Sequence, residues 1–225
     1  ISLSTNANAV IDRNSIVNIK NDAIYINKCP NVEIKDNVIA STARNAIYVQ
    51  TTTAMNADIE NNQLTGASCG INITNYPSGA LILQNNVITG ASYSTLINFK
   101  AFTMTGFESN TYNGGQYFSG SFPTSVLLKQ GNYSFYGVVV PAGVTLTIEP
   151  GTVIRNARWY YACESIVVNG TLIAEGTAEL PIIFTSTTDS ASNYWSGIKI
   201  DSTGEFRGSH VKIRYAGQAY YNSTI

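Results

Sequence analysis

The sequence predicts an all-β solenoid, a fold in which short parallel strands wind through successive coils. The first observation is a recurring frame, apolar-x-x-Asn-x-apolar, whose asparagines are 23, 25, 24 and 24 residues apart: Asn14, Asn37, Asn62, Asn86 and Asn110. A fixed period of this length is typical of solenoids, in which each repeat packs on its neighbours. The second observation is that short segments of alternating apolar residues recur along the chain, without the 3.6-residue periodicity of an amphipathic helix.

Residues 1–116 form the asparagine-cornered part of the predicted solenoid. Each of the first four frames is followed 9 to 11 residues later by a second β-like segment, as at Ile24–Ile26 and Ile47–Val49. Turn-forming residues such as Thr65-Gly66-Ala67-Ser68 lie between these segments. Each repeat therefore predicts a strand, an asparagine corner, a strand, a small-residue corner and a further strand.

Residues 117–225 form a second part, which we predict to continue the first as one solenoid. Alternating strands recur, as at Val144–Ile148, but the corners now contain Gly and Pro, as in Pro141-Ala-Gly143 and Glu149-Pro-Gly151. Gly supplies a positive φ, and Pro presets its own φ for a turn. The stretch 113–135 fits neither pattern and is predicted to be an irregular coil or a long loop.

The recurring asparagine is best explained as a stacking device. Equivalent corners of a parallel coil lie about 4.8 Å apart, so amide side chains can hydrogen-bond from coil to coil. Asparagine also tolerates the left-handed conformation that a sharp corner requires. A buried amide without partners would cost about 1–3 kcal/mol, and stacking removes that cost. We therefore predict a structural ladder made of all five asparagines.

Two solenoid families have a recurring asparagine that stacks from coil to coil in this way. Leu81-x-Leu83-x-x-Asn86-x-Ile88 matches the leucine-rich repeat, although the return segments, such as 47–53, are β-prone and lack leucine. The corners 62–66 and 86–90 resemble repeats of the parallel β-helix family, the pectin-lyase-like superfamily. The segments 144–154, 167–177 and 211–217 resemble modules of large microbial cell-surface proteins. This resemblance implies a single-stranded right-handed parallel β-helix, and the leucine-rich-repeat-like solenoid is the alternative.

No catalytic, cofactor or metal site is predicted. Polysaccharide-cleaving members of the resembling superfamily require clustered aspartates, or an arginine with acidic calcium ligands. Here the aspartates, Asp58 included, are read as isolated, and the arginine pairs 155/158 and 207/214 lie near Glu149 and Glu205 without an acidic cluster. The single histidine, His210, is read as a surface or strand residue, because no partner motif accompanies it.

Composition limits the partners of the chain. With 13 basic and 14 acidic residues, and charged residues at only 12%, it has no basic patch for nucleic acid and no membrane-spanning run. The polar composition favours an extracellular or cell-surface location. Cys29, Cys69 and Cys163 are read as small buried hydrophobes. Four sequons permit glycosylation in a secreted protein, at Asn72, Asn132, Asn169 and Asn222.

Aromatic side chains offer a further surface feature. The groups 159–161, 194–195 and 220–221 are read mainly as coil-edge or loop packing, and otherwise as platforms that stack on sugar rings.

Both ends of the chain are strand-like and lack a capping helix, which leaves open coil edges. The expected function is a structural building block that stacks head-to-tail on copies of itself, as a surface layer, sheath, filament or tandem-repeat stalk. The expected interface residues are Ile1, Leu3, Val211, Ile213 and Ile225. The alternative is a β-helix that binds or cleaves polysaccharide.

Overall fold

A computed structural model describes residues 1–4, 8–76, 78–156, 166–190 and 195–217. It divides into two compact units, unit 1 (Ile1–Tyr117) and unit 2 (Phe118–Ile225). Nearly all regular structure in the described ranges is strand, and the single helical element there is one 3₁₀ turn. No helix in the described ranges has the length and apolar character needed to cross a membrane.

Unit 1 is built from short strands that recur once per coil. Their bounds are β1 Ser2–Leu3, β2 Ala9–Asp12, β3 Ser15–Ile19, β4 Ile24–Ile26, β5 Asn31–Lys35, β6 Val38–Thr42, β7 Asn45–Gln50, β8 Asn56–Glu60, β9 Gln63–Thr65, β10 Cys69–Thr74, β11 Ser78–Gln84, β12 Val87–Phe99, β13 Ala101–Thr105, the 3₁₀ turn η1 Phe107–Ser109 and β14 Thr111–Ser121. The division between the units falls within β14.

Three parallel ladders line the coils of unit 1. One runs β1-β4-β7-β10-β12, a second β3-β6-β9-β12, and a third β2-β5-β8-β11-β13. Because alternate residues of a strand face opposite sides, every second residue points into the coil. The register aligns these residues from coil to coil: Ile26, Val49, Ile73 and Ile97 form one such row and are all fully buried. Stacked aliphatic rows therefore make the core of unit 1.

Unit 2 repeats the same strand arrangement. Its further strands are β15 Val126–Leu128, β16 Asn132–Val140, β17 Thr145–Ile148, β18 Val153–Asn156, β19 Ile166–Val168, β20 Thr171–Glu175, β21 Ile182–Ser186, β22 Ile198–Ile200, β23 Glu205–Ser209 and β24 Val211–Ile213. The parallel ladders are β15-β17-β20-β23, β16-β18-β21-β24 and β16-β19-β22. At its start, the core holds an aromatic cluster in which Phe118 lies 5.9–6.2 Å, centroid to centroid, from Phe122, Tyr133 and Phe135.

The prediction that residues 113–135 form an irregular coil or a long loop is wrong. The stretch contains most of β14, all of β15 and the start of β16. Gly114 and Gly115 of this stretch lie inside strand β14. A Cβ on Gly114 would stand 2.4 Å from the carbonyl oxygen of Ala91, so glycine is required there by close backbone packing.

The parallel β-solenoid prediction is confirmed, and the leucine-rich-repeat-like alternative is not supported. The return segment Ile47–Val49, whose β-branched residues argued against a helix, lies within β7.

Candidate functional site

The five recurrent asparagines lie one above another at the corner between two sheets of unit 1. The backbone N–H and the Nδ2 of Asn14 both donate to Oδ1 of Asn37, each at 3.0 Å. Asn37 donates in the same way to Asn62, Asn62 to Asn86, and Asn86 to Asn110, at 2.8–3.0 Å. We call this set the asparagine ladder. It has a direction, because each asparagine donates toward the C-terminal coil and accepts from the N-terminal one.

Burial differs along the asparagine ladder. Asn37, Asn62 and Asn86 are fully buried, and their Nδ2 groups also donate to carbonyl oxygens of the preceding coil, as from Asn62 to Ile34 at 2.8 Å. Asn110 ends the ladder by donating from Nδ2 to the carbonyl oxygen of Phe107 in η1 at 2.8 Å. Asn14, at the other end, is exposed, and no donor within the described ranges reaches its Oδ1.

The left-handed conformation does not fall on the ladder asparagines, contrary to the sequence prediction. It falls on the residue immediately before them: Arg13, Asp36, Asn61 and Asn85 have φ of 53–55°. The reason is geometric: the chain reverses one residue earlier, which leaves the asparagine free to point inward. Ser109, before Asn110, belongs to η1 instead.

Two further side-chain ladders were not predicted from the sequence. Nδ2 of Asn31 donates to Oδ1 of Asn8 at 2.9 Å, and Asn56 donates to Asn31 at 3.0 Å. At another corner, Asn45 donates from both N–H and Nδ2 to Asp22. Asn8, Asn31 and Asn56 share the 23- and 25-residue intervals of the asparagine ladder, and that spacing was the available signal. Their direction is opposite, since each donates toward the N-terminal coil.

Unit 1 has an open coil edge, which we call the N-terminal edge. Its strands β1, β2 and β3 are each paired on one side only, with β4, β5 and β6 respectively. Apolar residues that are covered in later coils are uncovered here. Ile1 is 53% exposed and Leu3 and Ile16 are half-buried, whereas Ile39, the partner of Ile16, is fully buried.

Within the described ranges, unit 2 has a corresponding edge, the C-terminal edge, where β22, β23 and β24 are each paired on one side only. Three apolar residues lie in core rows and yet are exposed: Ile200 by 41%, Phe206 by 37% and Ile213 by 50%. Their partners one strand earlier, Val168, Leu172 and Phe184, are fully buried. Of the predicted interface residues, Ile1, Leu3, Val211 and Ile213 thus lie on one of the two edges, and Ile225 lies outside the described residues.

One cluster of charges lies on the outer face of the β2-β5-β8-β11-β13 sheet. Nζ of Lys35 lies 2.5 Å from Asp58, 3.5 Å from Glu33 and 3.7 Å from Glu60. We call these four residues the ionic cluster. Asp58 is therefore not isolated, contrary to the sequence reading. That reading compared offsets from the asparagines, whereas the register places Glu33 opposite Asp58 and Lys35 opposite Glu60.

The two neighbouring carboxyls of the ionic cluster titrate differently. Burial, with a hydrogen bond to Glu60, raises the pKa of Asp58. Hydrogen bonds from Asp58 and Gln84 lower the pKa of Glu60. The Asp58 carboxyl, reinforced by the surrounding negative charge, raises the pKa of Lys35. The pKa values of the two neighbouring carboxyls are thus shifted in opposite directions.

The other acidic and basic candidates do not form such a cluster. Arg207 pairs with Glu205 on the same exposed strand, at 2.8 Å, and this contact lowers the pKa of Glu205. Glu149 accepts a hydrogen bond from the backbone of Gln130. His210 is exposed and occupies a left-handed corner with φ of 47°. Within the described ranges, no three His, Cys, Asp or Glu side chains are placed to hold a metal ion.

Of the candidate sugar-stacking aromatics, Trp195 is fully buried and donates from Nε1 to the carbonyl oxygen of Arg214, so it cannot stack on a ligand. The others, 159–161, 194 and 220–221, lie outside the described residues. Sequence reasoning missed Tyr25 and Tyr48, which are half-buried on the outer face of unit 1 with ring centroids 5.4 Å apart.

Three of the four sequons lie in the described ranges. Asn132 is exposed, Asn169 is half-buried, and Asn72 is half-buried with its Nδ2 donating to Asn45; Asn222 lies outside these ranges, and glycosylation stays a prediction.

The thiols of Cys29 and Cys69 are buried, and burial raises both pKa values, that of Cys69 to about 12. Cys163 lies outside the described residues.

Two family models match the chain. Residues 1–88 match the right handed beta helix region, and residues 120–221 match the pectate-lyase like beta helix domain. Together with the parallel coils, these matches show a right-handed parallel β-helix fold. No curated protein matches the chain, and no solved structure matches it.

Proposed function

We propose that this β-helix is a structural building block that stacks coil-on-coil, head-to-tail, into an extracellular assembly such as a surface layer, sheath, filament or tandem-repeat stalk. The observation that carries the proposal is the exposure of core residues at both coil edges. Ile200, Phe206 and Ile213 are exposed where their row partners are fully buried. A further coil is what covers such residues elsewhere in each unit.

Stacking supplies a driving force of useful size. Fully burying a large aliphatic or aromatic side chain stabilises by about 1.5–3 kcal/mol. Covering three half-exposed side chains on the C-terminal edge therefore contributes about 3 kcal/mol, before the partner edge is counted. The open backbone groups of both edges would gain hydrogen bonds at the same time. An end-to-end contact that repeats without closing a ring produces an open polymer.

The proposed setting is the cell surface, and the proposed partner is another copy of the chain. A net charge of −1 with few charged residues leaves little long-range repulsion between copies. The same balance gives nucleic acid no attractive surface.

Light scattering and electron microscopy of the purified chain test the proposal. We expect a concentration-dependent increase in mass, with elongated particles. The double variant Phe206→Asp and Ile213→Asp should remain monomeric, because it introduces charge at the apolar edge. Lys212→Ala, which alters an outward side chain of the same edge, is the matched control and should still assemble. A wild-type chain that stays monomeric at high concentration refutes the proposal.

Polysaccharide binding or cleavage is the second candidate, and the ionic cluster is the observation that favours it. Three carboxyl groups gathered around Lys35 on an outer sheet face are the type of acidic side chain from which polysaccharide chemistry draws its general acids and bases. Release of reducing ends from polysaccharides, compared between wild type and Glu60→Gln, tests cleavage. Retention of the chain on immobilised polysaccharide, compared with Tyr48→Ala, tests binding. Absence of both activities removes this candidate.

A further inference from the structure

The two coil edges are complementary in hydrogen-bond polarity as well as in apolar surface. On the N-terminal edge, the unused group of the asparagine ladder is an acceptor, Oδ1 of Asn14. In every later coil, this position receives the backbone N–H of the equivalent residue in the coil before it, at 2.9–3.0 Å. The edge therefore fits a coil that presents an inward-facing corner residue with a free N–H.

The C-terminal edge presents such a residue. The corner of unit 1 reads left-handed residue, ladder asparagine, outward residue and core residue, as in 36–39. In unit 2, 210–213 has the same form: His210 is left-handed with φ of 47°, Val211 follows, Lys212 is outward, and Ile213 lies in the row of the buried Phe184. Val211 thus occupies the ladder position.

The backbone N–H of Val211 also points away from the preceding coil of unit 2, toward the side on which a second copy would dock. The N–H of Arg214 donates back to the carbonyl oxygen of Phe184 in the preceding coil. Successive N–H groups of a strand point to alternate sides, so that of Val211, three residues earlier, points away from the preceding coil. Ile182, the partner of Val211 in the register, already donates its N–H forward, to the carbonyl oxygen of His210.

We propose that the C-terminal edge of one copy docks on the N-terminal edge of a second copy, with β24 beside β3 and the N–H of Val211 donating to Oδ1 of Asn14. In this register Lys212 lies beside Ser15, and Ile213 covers the half-buried Ile16. This inference rests on the proposed stacking function and adds its polarity and register. Docking of two N-terminal edges is disfavoured, because it would place acceptor against acceptor at Asn14.

Mixed cysteine cross-linking tests the register. Neighbouring parallel strands place paired Cα atoms about 4.8 Å apart, within the range that a disulfide spans. Ser15→Cys and Lys212→Cys, made in separate chains, should form disulfide dimers when mixed under oxidising conditions. Neither variant should do so alone, and wild type reports any background from the native cysteines. Dimers from either variant alone, or none from the mixture while wild type assembles, overturn the proposed register.

Substitutions at Asn14 test the hydrogen bond itself. Asn14→Leu removes the acceptor and should slow cross-linking of the mixed pair about tenfold. Asn14→Asp keeps an acceptor oxygen and should retain most of the rate. Val10→Ser, an outward position of the same edge, is the matched control and should leave it unchanged. Equal rates for the Leu and Asp variants refute the Asn14 contact while the stacking function stands, whereas monomeric wild type refutes both.

Discussion

Units 1 and 2 use the same coil but turn its corners with different chemistry. In unit 1, the buried corner is filled by an asparagine whose amide satisfies backbone groups of the preceding coil, as Asn62 accepts from the N–H of Asn37 and donates to the carbonyl oxygen of Ile34. In unit 2, the N–H at the equivalent corner position bonds directly to a backbone carbonyl of the next coil, as from Ile182 N–H to the carbonyl oxygen of His210 at 3.1 Å. The difference shows that a β-helix corner needs satisfied polar groups, which either side chains or close backbone packing can provide.

The comparison predicts that unit 1 is most sensitive to loss of an amide. Asn62→Ala should lower the free energy of unfolding by about 3–5 kcal/mol, because it removes the acceptor of the buried N–H of Asn37 and the amide that donates to the carbonyl oxygen of Ile34. Urea unfolding measures this loss. Asn14→Ala, at the exposed end, should cost about 1 kcal/mol. Equal losses at the two positions would show that burial does not set the strength of the ladder.

Unit 2 should be sensitive to added bulk at its glycine corners, as unit 1 is inside its strand at Gly114. A Cβ on Gly170 would stand 2.1 Å from the carbonyl oxygen of Pro141, so Gly170→Ala should cost about 2–3 kcal/mol. Gly143 has φ of +78°, but a Cβ added there would meet no atom within 4 Å. Gly143→Ala should therefore cost only about 1 kcal/mol of backbone strain. Thermal unfolding of the two variants separates crowding from strain, and the reverse order would contradict close packing as the reason for Gly170.

Removing the cation from a charged group should have different effects on the free energy of unfolding in the two units. Lys35→Met removes the cation shared by three carboxylates in unit 1 and should cost about 1 kcal/mol at pH 7. The lowered pKa of Glu60 contributes stability above its ordinary pKa of 4.5, and that contribution is lost as pH falls through the folded-state value. The raised pKa of Asp58 acts with the opposite sign. Without Lys35, the pKa values of Asp58 and Glu60 should both be higher, because the lysine lowers both.

The difference in the free energy of unfolding between the variant and wild type should therefore shrink as pH falls through the folded-state pKa of Glu60. Urea unfolding from pH 3 to 8 measures this convergence. Arg207→Met, in the exposed pair of unit 2, should have no measurable effect at any pH. A loss after Lys35→Met that is independent of pH would mean that the lysine acts through packing of its alkyl chain.

The smallest expected effect is at the left-handed corner residues of unit 1. Asp36 is exposed with φ of 55°, so Asp36→Gly should raise the free energy of unfolding by about 0.5 kcal/mol as backbone strain is relieved. Val38→Gly, at an exposed strand position two residues later, should instead lower it. Chemical denaturation resolves the two signs, and destabilisation by Asp36→Gly would show that the Asp36 side chain stabilises its corner.

The sequence was informative wherever a residue type had to recur in every coil. The 23- to 25-residue spacing indicated the solenoid and identified all five members of the asparagine ladder. It failed where one residue type serves two purposes. Gly114 and Gly115 fall in the stretch predicted to be an irregular coil or a long loop, yet they lie in β14, where a Cβ on Gly114 would meet a neighbouring backbone.

The ionic cluster was missed for a different reason. Its members come from adjacent coils, 23 to 27 residues apart in the chain, and only the strand register places Lys35 beside Asp58.

The sequence by itself determined the repeat, the parallel β architecture and the inward-facing residues, because periodic burial leaves a periodic pattern. The tertiary structure decided the direction of each side-chain ladder, the position of the left-handed corners and the identity of the exposed edge residues. These depend on which coil lies beside which within the described ranges. Phe184 and Ile213 are register partners and both follow the pattern of an inward-facing strand residue, but Phe184 is fully buried whereas Ile213 is 50% exposed.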